Sequence, residues 1–262
     1  MKSRLDAELV RRGLARSREV AADLIAANKV LVNGMVVSKS ASVVDAQSSI
    51  KLADEQDEYV SRGGHKLSGA LDHFSNLNVA GVTALDAGAS TGGFTDVLLK
   101  RGVKKVVAVD VGYGQLAWQL QSDARVKILD RVNVRHLTAA QVGEQIDLVV
   151  ADLSFISLKL VLPALFSVAS EAANFLVMVK PQFEVGKDKL GAGGVVRDGQ
   201  LRKEAVAAVA ASAYEQGFGC LGVVASPLPG PSGNVEYFLW LQKGAPALRQ
   251  VDLDLAIETG PA

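Results

Sequence analysis

One cysteine, Cys220, in 262 residues excludes an internal disulfide. Without further thiols a structural zinc site has no donor set, so no metal is expected. The chain also has no surplus of charge: 28 Lys and Arg balance 28 Asp and Glu. Long apolar runs are missing too. The charge-free stretches 160–170 and 205–214 fall short of the ~18–20 apolar residues a spanning helix needs. Residues 216–235 are uncharged for longer, but their prolines and glycines make them strand and loop. No apolar segment follows the first basic residues, as a secretory signal would require. These absences point to a soluble, reduced, cytoplasmic protein with no membrane partner. At 49% hydrophobic and 21% charged, the composition is that of an ordinary globular chain. The length suits one large domain, or one medium and one small.

The balanced total hides an asymmetry. Residues 1–44 carry eight basic side chains (Lys2, Arg4, Arg11, Arg12, Arg16, Arg18, Lys29, Lys39) against four acidic ones. Residues 45–58 reverse the sign, with Asp45, Asp54, Glu55, Asp57 and Glu58 against Lys51. A small basic module ended by an acidic connector is the expectation. It places a domain over residues 1–58, a linker over 59–64 and a second domain over 65–262.

Within the module, Ser3 can cap a helix carrying Leu5, Leu9 and Val10, with Gly13 as the stop. Ser17 can cap a second helix with Val20, Ala21, Leu24 and Ile25 inward. Asn33-Gly34 supplies the positive φ angles of a tight hairpin turn. Arg11, Arg12, Arg16 and Arg18 cluster where the helices join. Taken alone, four arginines fit a solvated face as well as a phosphate-binding one. The pattern Arg4-Leu-Asp, Leu9, Arg16-Ser-Arg18, Ala22, Ile25, Val30 and Val32-Asn-Gly34 resembles the small RNA-binding module of a small-subunit ribosomal protein, several pseudouridine synthases and tyrosyl-tRNA synthetases. That resemblance makes Arg4, Arg11, Arg12, Arg16, Arg18 and Lys39 the candidate RNA contacts, which would position RNA without reading its sequence.

Beyond residue 60, apolar strand runs alternate with helical stretches, which implies a parallel sheet covered on both faces. Strands are expected over 82–86, 103–110, 126–130, 146–152, 175–180, 221–225 and 237–241, the final pair antiparallel. A helix over 67–74 precedes them, with Leu67, Ala70, Leu71 and Phe74 on one face. The first strand runs into Asp86-Ala-Gly88-Ala89-Ser90-Thr91-Gly92-Gly93-Phe94, and glycines at such a strand end let a ligand approach the backbone. Their spacing departs from the dinucleotide pattern G-x-G-x-x-G, which weakens a nicotinamide cofactor. Asp110 ends the second strand, where a carboxylate can accept hydrogen bonds from a ribose. The loop, Asp86, Asp110 and the strand order together look like a methyltransferase that uses S-adenosylmethionine. At the end of the third strand, Asp130 suits an adenine contact or a helix cap equally well.

The chemistry narrows by elimination. Methylation of an exocyclic amino group commonly uses Asn or Asp before Pro-Pro and an aromatic, whereas Asp152-Leu-Ser-Phe155 has no prolines. Methylation of pyrimidine carbon 5 needs a cysteine nucleophile near the fourth or fifth strand, and Cys220 lies far past both. There remain Lys66, Asp152, Lys180 and Glu236, a set that sugar 2′-O-methyl transfer can use. Lys180 would take the hydroxyl proton or stabilise the alkoxide, and the carboxylates would orient the lysines. Each of these charges, taken singly, also fits a plain solvent contact at a strand end.

Several segments are specific: Val60-Ser-Arg-Gly with His65-Lys66-Leu, the 86–94 loop, Asp110-Val-Gly-Tyr-Gly-Gln-Leu-Ala-Trp118, Asp152-Leu-Ser-Phe-Ile-Ser157, Lys180-Pro-Gln-Phe-Glu184 and Pro229-Gly-Pro-Ser-Gly-Asn-Val-Glu236. Over almost its full length the chain resembles the haemolysin-A-type (TlyA) family of rRNA 2′-O-methyltransferases with an FtsJ-like catalytic domain. The resemblance implies a Rossmann-like, seven-stranded class I methyltransferase sheet with its last strand antiparallel, beside a small α+β RNA-binding domain. It implies S-adenosyl-L-methionine as cofactor and transfer to cytidine in ribosomal RNA, with the terminal extensions pointing to both subunits. It also implies Lys66, Asp152, Lys180 and Glu236 as the catalytic tetrad, with no required protein partner. The rival readings are a non-catalytic RNA-binding protein and a pore-forming cytolysin.

Overall fold

The computed structural model describes residues 2–26, 29–33, 35–45, 47–52 and 59–261, and the chain divides into two units, Met1–Glu58 and Tyr59–Ala262. The acidic connector over 53–58 and Gly34 lie outside the described residues.

The first unit runs β1 (Lys2–Arg4), α1 (Leu5–Arg11), α2 (Arg18–Ala26), β2 (Val30–Val32), β3 (Met35–Val36), β4 (Val43–Asp45) and β5 (Ile50–Leu52). Strand β2 lies between β3 and β5, both antiparallel to it, while β1 pairs antiparallel with β4. Leu5, Leu9, Ala21, Ile25, Val30, Val44 and Ile50 close over one another as its core. Gly13 takes a φ of 72° just past α1, and Ser17 Oγ accepts from Val20 N at 3.2 Å. Ser3 departs from its expected capping role. It belongs to β1, its hydroxyl donates to Glu8 Oε2 at 2.9 Å, and Arg4 takes the cap position without a side-chain bond. Pairing with β4 fixes Ser3 as extended backbone, and the buried Glu8 carboxylate claims its hydroxyl.

The second unit begins with α3 (Arg62–His73). It continues through β6 (Thr83–Ala87), α4 (Gly93–Lys100), β7 (Lys105–Asp110), α5 (Trp118–Gln121), β8 (Val126–Asp130), α6 (Ala139–Val142) and β9 (Ile146–Ala151). It ends with α7 (Leu162–Val168), β10 (Ala169–Val179), α8 (Gly199–Glu215), β11 (Phe218–Ala225), β12 (Tyr237–Lys243) and α9 (Gln250–Glu258). Seven strands form one sheet in the order β11-β12-β10-β9-β6-β7-β8. Only β12 runs against its neighbours. Alternate strand residues face opposite layers. Val107, Val149 and Val177 join Leu162, Leu165, Val206 and Leu253 on one side. Ala108, Val150 and Met178 join Leu67, Leu71, Val97 and Leu98 on the other. Strand β10 starts earlier than the apolar run suggests, because a register shift between Ala169 and Asn174 keeps its polar beginning paired with β9.

Residues 59–64 are not a linker. Tyr59 is buried, Ser61 is the cap residue of α3, and the helix starts at Arg62, five residues before the expected start at Leu67. Gly63 and Gly64 permit this rather than break it. A Cβ on Gly64 would lie 2.4 Å from that of Tyr59, and one on Gly93 would lie 2.8 Å from Gly64 N. Helices α3 and α4 therefore meet almost backbone to backbone, at the place where the glycine loop ends.

Candidate active site

Two of the loop's glycines have left-handed φ angles, Gly88 at 86° and Gly92 at 96°, and Ser90 joins them at 48°. A Cβ on Gly88 would sit 2.6 Å from the Asp152 carbonyl oxygen, and one on Gly92 would strike Leu120 at 2.3 Å. Bare backbone is thus required at both ends of the loop. Asp110 holds its middle: Oδ2 accepts from Ser90 N at 2.8 Å and Oδ1 from Gly112 N at 2.7 Å. Asp130 accepts from Gly114 N at 2.9 Å. It caps no helix, since Asn133 caps the 3-10 turn that follows. Both aspartates thereby shape the loop after β7.

Gly88, Ala89, Ser90, Thr91, Gly93 and Phe94 line an open cleft of about 750 Å³, and Lys66, Asp152 and Lys180 line it with them. Gly92, Asp110 and Asp130 are not among its lining residues. Two ion pairs contribute to its lining through Lys66, Asp152 and Lys180. Lys66 Nζ lies 2.5 Å from Glu236 Oε2, with side chains 8% and 1% exposed. Lys180 Nζ lies 2.5 Å from Asp152 Oδ1 as an ion pair and donates to Ser154 Oγ at 2.9 Å. The tetrad is therefore two separate pairs. A second hollow of about 920 Å³ shares Ser154, Lys180 and Pro231 with the first and is bounded by Phe155, Phe183 and Glu236.

Beneath the loop, Asp86 is fully buried; its Oδ2 accepts from Thr95 Oγ1 at 2.6 Å, while Oδ1 has no partner. Burial pushes this carboxyl up to about 7; the Thr95 hydroxyl opposes the rise and the nearby charges of Asp152 and Asp110 add to it.

In the first unit the arginines differ among themselves. Arg4 and Arg18 pair with the buried Asp6 at 2.9 and 3.2 Å, and Arg11 and Arg12 pair with the buried Glu8 at 2.6 and 2.8 Å. Arg12 also donates to the carbonyls of Ser48 and Asp45 and is only 22% exposed, so it ties the unit together. Arg16 and Lys39 are exposed, and among the described residues neither has an ion pair.

Residues 59–243 match the FtsJ-like methyltransferase family, and residues 3–50 match the S4 domain. The chain belongs to the FtsJ-like methyltransferase family. It is 60% identical, over 92% of its length and 90% of the relative's, to the 16S/23S rRNA (cytidine-2′-O)-methyltransferase TlyA of Mycobacterium tuberculosis. A solved chain from Streptococcus thermophilus that carries the name hemolysin is 37% identical, with a TM-score of 0.75 over 98% of this chain and 94% of its own. The S-adenosylmethionine-dependent methyltransferase of Mesorhizobium loti, 14% identical, shares the fold at a TM-score of 0.50 over 67% of this chain and 96% of its own.

An FtsJ-like methyltransferase must hold a cationic sulfonium cofactor, and the residues present fit one. The orphaned Asp86 Oδ1 and the Asp110 and Asp152 carboxylates favour a positively charged ligand with N–H and O–H donors, and the glycines let it approach the backbone. Sequence reasoning gave no role to Ser154, to Phe155 or to Glu184. Phe155 is 91% exposed and holds a φ of 63°, which is costly for an aromatic residue. Its place in the quoted Asp152–Ser157 segment was the only signal for it.

Proposed function

We propose that this FtsJ-like methyltransferase moves a methyl group from S-adenosylmethionine to the ribose 2′-hydroxyl of cytidine in ribosomal RNA, in both subunits. The observation that carries this reading is the pair of lysine–carboxylate contacts, Lys180–Asp152 and Lys66–Glu236, of which Lys66, Asp152 and Lys180 line the same cleft as the glycine loop. When bound, the cofactor supplies a methyl group on a positively charged sulfur. Gly88–Gly93 and Asp110 hold it, with Asp130 bracing the neighbouring loop.

Lys180 Nζ sits at the cleft wall beside the Asp152 carboxylate and the Ser154 hydroxyl, and we assign its amine form, reached by passing a proton to Asp152, as the acceptor of the ribose hydroxyl proton. Lys66 and Glu236 form a buried pair that keeps the wall rigid and its charge balanced. A hydroxyl held in line by such groups gains most from positioning. Base methylation through a cysteine is disfavoured, because Cys220 is buried on β11 and burial pushes its thiol up to about 11.

The first unit supplies RNA affinity through Arg4, Arg11, Arg16, Arg18 and Lys39, with Arg12 reassigned to structure. A lytic role has no support in the helices: among the described residues none is long and apolar enough to cross a membrane. The test is transfer of a labelled methyl group from S-adenosylmethionine to each purified ribosomal subunit lacking the modification. Label in the RNA of both subunits is expected, and none in either would overturn the assignment.

A further inference from the structure

We propose that Glu184 is a positioning residue for methyl transfer, a latch that holds the segment after β9 against the segment after β10. The proposal rests on the ribose methyltransferase reading above and extends it to a residue that touches neither substrate nor cofactor.

The latch engages two donors at once. Glu184 Oε2 accepts from Ser157 Oγ at 2.6 Å, and Oε1 accepts from Leu158 N at 2.7 Å. With both oxygens engaged on adjacent residues, rotation is fixed as well as distance. The receiving end is itself anchored. Leu158 is 3% exposed and packs in the core with Val161 and Leu162, and Ser157 caps the 3-10 turn Leu158–Leu160. The carboxylate is substantially buried, and burial raises its proton affinity while both donors hold it down.

What lies between the anchored ends is the reacting edge. Glu184 follows Lys180 by four residues, and Ser157 follows Asp152 by five. The two segments touch at three places: Lys180 on Asp152 and Ser154, Phe183 against Phe155 with ring centres 5.2 Å apart, and Glu184 on Ser157 and Leu158. The first contact runs through a flexible four-carbon side chain, and the second through the exposed Phe155 ring and a half-buried Phe183. Only the third reaches the main chain, through a carboxylate that accepts from the Ser157 hydroxyl and from the Leu158 backbone N–H. Phe155 at its positive φ needs such an outside constraint, because an unconstrained Phe would leave that region. Without the latch, the Lys180–Asp152 pair would drift relative to the glycine loop.

The test uses the full chain with Glu184→Gln, which keeps size and one acceptor oxygen. Three quantities are read: hydrogen exchange at the Leu158 amide, cofactor affinity by calorimetry, and kcat and KM on ribosomal RNA. The latch predicts exchange at Leu158 faster by about tenfold or more, since it loses its charged acceptor. Cofactor affinity should stay within about twofold and kcat should fall ~10–100-fold, the scale of a small misplacement of reacting groups. Adding Ser157→Ala to Glu184→Gln should cost nothing further, because both act through one link. A wild-type kcat with fast Leu158 exchange would overturn the proposal, reducing Glu184 to a loop tie. Loss of cofactor affinity in step with kcat would overturn it equally. The wild-type reaction run alongside reports on the ribose methyltransferase reading itself, so failure there is separate from failure of the latch.

Discussion

Asp6 and Glu8 in the first unit and Asp86 in the second are all buried carboxylates, at 6%, 2% and 0% exposure, yet their surroundings push them in opposite directions. The Arg4 guanidinium, with help from Arg18, holds Asp6 down to about 2, and Arg11 and Arg12 hold Glu8 well below the usual range. Asp86 is met only by Thr95 and keeps one oxygen without a hydrogen bond, and burial raises it to about 7. A carboxylate met by donors of its own chain fixes architecture: Asp6 and Glu8 hold Arg4, Arg11, Arg12 and Arg18 in ion pairs. A carboxylate left half-satisfied beneath a glycine loop has capacity for a cation that arrives from outside. The first unit therefore carries finished electrostatics and the second carries an unfinished set.

The largest effect that bears on this contrast is at Lys180. Lys180→Ala should bind cofactor within about twofold of wild type and lose ~10²–10⁴-fold in turnover, the usual cost of a missing proton acceptor. Lys180→Arg should fail as well, because guanidinium stays protonated. Near-normal turnover with arginine would show that a fixed cation suffices. Next in size, removal of residues 1–58 should leave cofactor binding intact and weaken ribosomal RNA binding by about tenfold or more. The salt slope should flatten by ~0.7–0.9 per lost phosphate contact, and equal slopes would deny the first unit its electrostatic role.

Asp86 gives a pH signature with a definite sign. Its folded-state value lies above the ordinary 3.8, so its contribution to stability is complete below about pH 4 and is lost as pH rises through about 7. Asp6 is depressed, so its contribution is present above about pH 4 and is lost as pH falls through about 2. Thermal unfolding of Asp86→Asn should lose the decline between about pH 4 and 7 that the wild type shows. Cofactor binding should release protons near pH 7 in the wild type and fewer in this variant, measured calorimetrically in buffers of different ionisation heat. The smallest effects separate two arginines. Arg12→Ala should cost about 2 kcal/mol of stability, as loss of charged hydrogen bonds does, with little change in RNA affinity. Arg16→Ala should leave stability unchanged and weaken RNA binding by about threefold.

Much of the second unit was legible because its strands are buried on both faces and so appear as unbroken apolar runs such as 175–179. The glycine loop and all four tetrad positions were legible as residue types at strand ends. Their pairing was not: Lys66 and Glu236 stand 170 residues apart, and only the folded sheet shows that they partner each other while Lys180 takes Asp152. Strand β1 escaped notice because Lys2-Ser3-Arg4 has no apolar period and is held by β4 alone. The early start of α3 was hidden by Gly63-Gly64, which read as a break until the close approach to Tyr59 and Gly93 explained them. Arg12 looked like its neighbours in sequence, and only the structure shows its bonds to the Ser48 and Asp45 carbonyls.

The central claim is that the two lysine–carboxylate pairs serve a ribose hydroxyl rather than a base. The most direct measurement is nucleoside mass spectrometry of ribosomal RNA methylated by the purified wild-type chain with isotopically labelled cofactor. The account predicts the label in cytidine on the ribose 2′-oxygen, and a labelled methyl group on the base would contradict it.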